Sequence, residues 1–276
     1  RESNVWDRIR FARDLDEERS SARRIDLHTS LHDSVMLNRL YLCDVGGTFN
    51  RGRVQTNLLY RSSGLNPLHK SDRARLESLR LRHIVDLREH KAIRRQPDLF
   101  CAETMTHLPV KLGAFETIKY RDVLMRRVDW ETLAHIRLYA DMLENNGDQI
   151  CQFLNLLLDD QSPVLVHCAA GKDRTGVFIS VLYLALGMSR DDVVKSYMAI
   201  KPHLDQHFPS SIRWLLKKTR VPELAYTVLP EYIEGMLEHV EEKYGEAENY
   251  LRAIGFGRAE ELREKFLENQ KDLEDC

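Results

Sequence analysis

The stretch PVLVHCAAGKDRTGVFISVLYLAL, residues 163–186, decides how the chain is to be read. An apolar run ends at His167 and Cys168, gives way to small, polar and charged residues, and resumes at Val177. The first run predicts a buried strand over 164–167, and the second predicts a helix from about 175 to 186 that Gly187 ends. Lys172, Asp173 and Arg174 therefore interrupt a core, where charge is costly unless it has a partner.

A strand-to-helix junction of this composition can cradle an anion. Ala169, Ala170 and Gly171 let the backbone N–H groups turn inward, and the helix N-terminus adds its partial positive charge at the same place. Arg174, six positions after Cys168, closes the cradle with a planar fork that fits two phosphate oxygens. Positive surroundings lower a thiol from about 8.5 to roughly 3.5–7.5, so Cys168 is expected as a thiolate.

A thiolate on the floor of an anion pocket predicts phosphoryl transfer. It attacks phosphorus in line with the leaving oxygen, forms a phosphocysteine that water then hydrolyses, and needs no metal or cofactor. Arg174 and the loop amides would stabilise charge on the equatorial oxygens. Asp173 is the nearest proton donor for the leaving oxygen and the later base for water; it could equally cap the helix or hold Lys172 or Arg174 in place. Lys172 adds a cation at the rim, which suits a substrate with more than one phosphate. Thr175 can donate its hydroxyl to the thiolate or help release the phosphocysteine, and His167 reads as a histidine that organises the loop from the core.

Around this stretch the chain has α/β grammar. LYLCDVGGTFNRGRVQTNLLYRSSGL (40–65) reads as turn, loop and a strand over Asn57 to Tyr60. SDRARLESLRL (71–81) predicts a helix with Ser71 as its N-cap, and HIVDLREH (83–90) a short buried strand with Asp86 and Arg88 at its polar end. Those two residues fit either a structural pair or the pocket wall, and Arg61 fits a buried structural arginine. MTHLPVKL (105–112) is a further strand candidate, and helices are predicted near 130–144 and 148–158, with Asn145-Asn146-Gly147 as a stop between them. Ser189 to Asp192 resembles a capping box, and helices over 211–219, 230–244, 246–254 and 258–269 fill the C-terminal half. The expected architecture is a central sheet flanked by helices, with residues 1–36 as an N-terminal extension and 37–276 as one domain.

Composition sets the outer limits. The 41 basic and 43 acidic residues nearly cancel, which excludes a global attraction to nucleic acid or an anionic membrane, so an anion site must be local. Five cysteines, at 43, 101, 151, 168 and 276, are odd in number and lack CxxC spacing, which points to a reducing compartment and a cytoplasmic location. The longest apolar run, Gly176 to Leu186, is half of the ~20 residues of a membrane span. The N-terminus lacks the apolar core of a signal peptide, although a chain that starts at Arg1 leaves room for a trimmed leader and for secretion.

HCAAGKDRTG resembles the H-C-x-x-x-x-x-R-[ST] signature of the cysteine-dependent protein tyrosine phosphatases, and more closely the bacterial and fungal branch whose loop reads H-C-x-x-G-K-D-R-T-G. LYLCDVGG, LLYRSSGL, and IVDLR followed by Gln96-Pro97-Asp98 are similar to further segments of that branch, and the resemblance spans about 37–270. It implies a tyrosine-phosphatase-like fold and activity on phosphotyrosine proteins or phosphoinositides. It also implies Cys168 as nucleophile, Arg174 as phosphate clamp, and Lys172 with Asp173 as the branch's extra charged pair. Cys43-Asp44 and Ala92 depart from the branch at the outer surface. With no counterpart of a separate W-P-D acid loop, Asp122 and Asp129 stand beside Asp173 as candidate acids. Arg121, Arg126 and Arg127 form either a basic rim or a solvated helix face.

Other functions fit less well. Gly171-Lys172 is not a nucleotide-binding P-loop, because the earlier glycine and the Ser or Thr directly after the lysine are missing. A catalytically silent phosphate-recognition module would not need every reactive group that is present. A rhodanese-like persulfide loop would not need the Arg174-Thr175 ending or the Lys172-Asp173 pair. Cys43 is the one other cysteine that could sit near enough to Cys168 to form a protective disulfide with it.

Overall fold

The structure, a computed structural model, describes residues 40–50, 52–112, 135–159, 162–208, 210–218 and 226–268. Strands β1 (Leu42–Asp44), β2 (Gly47–Phe49), β3 (Gly52–Val54) and β4 (Leu59–Ser62) come first. They are followed by α1 (Lys70–Ser78), β5 (His83–Asp86), α2 (His90–Arg95) and β6 (Thr104–His107). Next are α3 (His135–Asn145), α4 (Gly147–Asp159), β7 (Val164–His167) and α5 (Asp173–Ala185). The rest is helical: α6 (Arg190–Met198), α7 (Lys201–His207), α8 (Ser210–Lys218), α9 (Pro230–Tyr244), α10 (Ala247–Ala253) and α11 (Ala259–Phe266).

The strand ahead of Cys168 is the centre of a five-stranded sheet of order β1-β4-β7-β5-β6. β7 pairs in parallel with β4 and β5, β6 extends the parallel set, and β1 closes the far edge antiparallel to β4. Covered on both faces, β7 is apolar from Val164 to Val166 before it ends at His167, as suits a central parallel strand. Its alternation divides it between two clusters: Val164 and Val166 enter the main core with Val85 and Leu59, while Leu165 joins Ile84, Tyr60 and Leu76 on the other face. α5 is buried almost throughout because it lies between the sheet and α3, α4, α6, α10 and α11. Fully burying a side chain such as Phe178 contributes roughly 1.5–3 kcal/mol, so this apolar helix anchors the loop that precedes it.

The register aligns the strand ends. Ser62 of β4 and Asp86 of β5 both lie opposite His167, and His107 of β6 lies opposite Asp86. Four parallel strands thus finish in one row, with Cys168 one residue beyond it. This carboxyl edge is where open α/β sheets bind ligands.

The α/β architecture and helical C-terminal half are as expected from the sequence, with corrections at several boundaries. The predicted strand over 57–60 lies two residues later, because Asn57 adopts a left-handed φ of 62° that a strand does not accommodate. Ser71 is not the N-cap of α1: Arg73 N–H closes the first turn on the carbonyl of His69, which is the capping residue. The strand expected over 105–112 ends at His107; Leu108 and Val110 only donate to the carbonyls of Asp86 and Leu87. The helix expected from 175 begins at Asp173 and so takes Arg174 into its first turn. α2 and α7 are short, charge-rich helices that the apolar spacing does not announce. Ser189 does cap α6, accepting from Asp192 N–H.

Candidate active site

The loop from Cys168 to Lys172 is held from outside by its carbonyls. The Ala169 carbonyl accepts from Gly64 N–H at 2.9 Å, that of Gly171 from Arg61 Nη2 at 2.7 Å, and that of Lys172 from Gly176 N–H at 2.8 Å. In a trans peptide the next N–H points the opposite way, so the amides of Ala170, Lys172 and Asp173 are turned toward the inside of the loop. Gly171 makes the turn with a φ of +68°, and a Cβ there would sit 2.5 Å from the Ser62 carbonyl oxygen. Only glycine meets both conditions. Arg61, 2 % exposed, is thus a structural arginine that fixes the loop by its backbone.

Cys168 is fully buried at the bottom of this loop. Burial pushes its thiol up, but the Arg174 charge, the Thr175 hydroxyl and the Thr175 backbone together outweigh that, and Asp173 opposes them weakly; the net shift is downward from 9.0. The Thr175 hydroxyl is buried with no oxygen or nitrogen partner, consistent with its facing the sulfur. Arg174 is 1 % exposed, its Nη1 makes only a 3.4 Å approach to the Leu87 carbonyl, and its Nε has no partner. Among the described residues no carboxylate lies within ion-pair distance of it. A buried guanidinium in this condition is a site for an anion.

Asp173 and Lys172 form a second layer. Asp173 is the first residue of α5 rather than its cap, and its Oδ2 lies 3.5 Å from Lys172 Nζ. Its Oδ1 accepts from the Tyr139 hydroxyl at 2.6 Å, and that hydroxyl lies 2.7 Å from the hydroxyl of Tyr197. The sequence reading missed both tyrosines: Tyr139 and Tyr197 stand at buried helical positions where an aromatic ring reads as packing. Asp173, Lys172, Arg174, Thr175, Ala170 and Gly171 are all buried around Cys168, while Ala169 is partly exposed.

Asp86 lies behind the loop. Its carboxylate takes Arg88 Nε at 3.0 Å and Arg88 Nη2 at 2.7 Å, Asp98 Oδ1 takes Arg88 Nη2 at 2.8 Å, and the Gln96 carbonyl takes Arg88 Nη1 at 2.9 Å. His167 Nε2 lies 3.2 Å from Asp98 Oδ2 and 4.0 Å from Asp86 Oδ1. Burial pulls His167 down, but the charges of Asp86 and Asp98 prevail and leave it raised above 6.5. Burial pushes Asp86 up, while His167 and Arg88 hold it below 3.8. Asp86, Asp98 and His167 have the donor types of a metal site, yet the cation they surround is the Arg88 guanidinium. Cys43, partly buried on β1, is a free thiol whose sulfur lies 3.1 Å from the Asp44 carbonyl. Asp122, Asp129, Arg121, Arg126 and Arg127 fall outside the described residues, as does the 1–36 extension.

A thiol, an arginine and inward amides at the carboxyl edge of a parallel sheet are the apparatus of the cysteine-dependent phosphatases. Residues 42–268 match the tyrosine phosphatase family, and the chain belongs to it. It is 26 % identical over 219 residues to a Cupriavidus necator protein assigned as a tyrosine-protein phosphatase, covering 76 % of this chain and 79 % of that one. It is 25 % identical over 249 residues to the triple specificity protein phosphatase PtpB of Mycobacterium tuberculosis, covering 73 % and 87 %. It is 25 % identical over 223 residues to a tyrosine-protein phosphatase of Nostoc commune, covering 75 % and 72 %. The protein is a phosphatase, and its substrates are phosphorylated. No helix among the described residues is long and apolar enough to cross a membrane.

Proposed function

We propose that the chain hydrolyses phosphomonoesters of phosphotyrosine proteins and phosphoinositides through a phosphocysteine on Cys168. The observation that carries this reading is the buried Arg174 guanidinium, without a carboxylate and with an unpartnered Nε, beside a thiol drawn down by its charge. A phosphate would supply the missing oxygens, held by Arg174 and by the amides of Ala170, Lys172 and Asp173.

The Cys168 thiolate forms the S–P bond as the P–O bond to the leaving group breaks, and Asp173 gives its proton to the departing oxygen. Asp173 then takes a proton from water as that water attacks phosphorus, the S–P bond breaks, and inorganic phosphate leaves with the thiolate restored. Thr175 supports the thiolate as nucleophile and as leaving group. Asp86 acts from behind the pocket through Arg88 rather than by touching substrate. Lys172, paired with Asp173, places a second cation beside the loop, which favours ring phosphates of inositol in addition to phosphotyrosine; the name of the Mycobacterium tuberculosis relative describes that protein as acting on three classes.

The test is phosphate release from a phosphotyrosine peptide and from a phosphoinositide panel, with chelator present, by wild type and Cys168→Ser. Release from both by wild type, with a loss of about 10⁴-fold or more in Cys168→Ser, is expected. Equal release by the two proteins would rule out the cysteine route, and release from one panel alone would narrow the substrate class to it.

A further inference from the structure

Asp173 stands at the end of a chain of hydroxyls. Tyr139 on α3 donates to Asp173 Oδ1, and Tyr197 on α6 reaches the Tyr139 hydroxyl, the two rings meeting edge-on at 5.8 Å. Tyr139 is also edge-on to Tyr232 of α9 at 6.3 Å. A phenol has one hydrogen, and that of Tyr139 goes to the carboxylate; Tyr197 therefore donates to Tyr139, and the chain runs one way, into Asp173. Burial, and after it the Asp173 charge, holds both phenols well above 10, so both stay protonated where a phosphatase works. Among the described residues, the charged and titratable groups near this chain of hydroxyls include Lys172 and Cys168 from the loop, Arg174 on α5, Arg61 on β4, and Tyr232 across the ring pair.

We propose that Tyr139 is a positioning residue for Asp173: its hydroxyl holds Oδ1 and so sets the orientation in which the carboxyl delivers its proton. The proposal rests on Asp173 being the general acid. A free carboxyl can be protonated on either oxygen and can rotate. With the phenolic O–H on Oδ1 and the Lys172 ammonium 3.5 Å from Oδ2, the carboxyl is held from both sides, and three helices (α3, α6 and α9) keep the phenol where it is.

The experiment compares kcat/KM, which spans departure of the leaving group, for wild type, Asp173→Asn, Tyr139→Phe and Tyr197→Phe. Two substrates are used, an aryl phosphate with an acidic phenol as leaving group and an alkyl phosphate with a poor one; only the second needs a proton donor. Tyr139→Phe should lose about tenfold on the alkyl phosphate and stay within about twofold on the aryl phosphate. Tyr197→Phe should show the same pattern at smaller size, and it carries the test if Tyr139→Phe fails to melt cooperatively. Equal losses on both substrates would overturn the positioning role. Leaving-group sensitivity in Asp173→Asn with none in Tyr139→Phe would overturn the positioning alone, whereas an Asp173→Asn indifferent to the leaving group would remove the acid reading beneath it.

Discussion

Arg88 and Arg174 are both buried at the carboxyl edge of the sheet, 3 % and 1 % exposed, and they are treated in opposite ways. Arg88 donates to Asp86, Asp98 and the Gln96 carbonyl, and His167 Nε2 lies 3.2 Å from Asp98 Oδ2. Arg174 has one long approach to a carbonyl and an unpartnered Nε. A satisfied cation holds elements together; an unsatisfied one is a place for something that arrives. Cys168 feels the charge of both; on the proposed reading the chain pairs its structural charge and leaves open the one that serves the nucleophile.

That contrast can be broken first at Arg88. Arg88→Met leaves Asp86 and Asp98 buried without their cation, which costs about 3–5 kcal/mol, read as a fall in denaturation midpoint. Asp86 and His167 give the cluster a pH window. Asp86, held below 3.8, contributes stability above that value and loses it as pH falls through its lowered pKa. His167, raised above 6.5, contributes fully below 6.5 and loses it as pH rises through its raised pKa. The cluster therefore stabilises most between 3.8 and 6.5; because protonated His167 then stands in for part of the missing guanidinium, the wild-type advantage over Arg88→Met should grow as pH rises and His167 loses its charge.

Arg174→Met should do the reverse. It removes the donor fork for the transition-state oxygens and lowers kcat/KM by about 10²–10³-fold, with the melting temperature unchanged or raised because no carboxylate loses a partner. A destabilisation comparable to that of Arg88→Met would show that Arg174 is structural. A smaller effect is expected at Thr175. Thr175→Ala removes a donor to the thiolate, so the acid limb of kcat/KM should move up while the fold keeps its stability; an unmoved limb would mean that Thr175 only begins the helix.

The open side of this comparison was legible in the sequence, and the closed side was not. Cys168, Arg174, Lys172, Asp173 and Thr175 lie within eight consecutive positions at a strand-to-helix junction, so local spacing alone brings them together. The strand and helix on either side of them follow from apolar runs for the same reason. Arg88, Asp98 and His167 converge only through parallel pairing of β5 with β7 and the turn at Gln96-Pro97, and Tyr139 reaches Asp173 across 34 positions. Asp86 and Arg88 were visible as a pair at a strand end, but whether they faced substrate depended on Asp98 and His167, which no local pattern connects to them. Asn57 shifted β4 by two residues through a left-handed φ that composition does not reveal.

The central claim is that phosphate is carried on the Cys168 sulfur. The most direct measurement is a rapid acid quench during turnover of a ³²P-labelled phosphopeptide, followed by mass spectrometry of the peptide containing Cys168. Label on that peptide in wild type, accumulating in Asp173→Asn and absent in Cys168→Ser, is the predicted result. Sustained turnover in Cys168→Ser, or label on any other residue, would contradict the account.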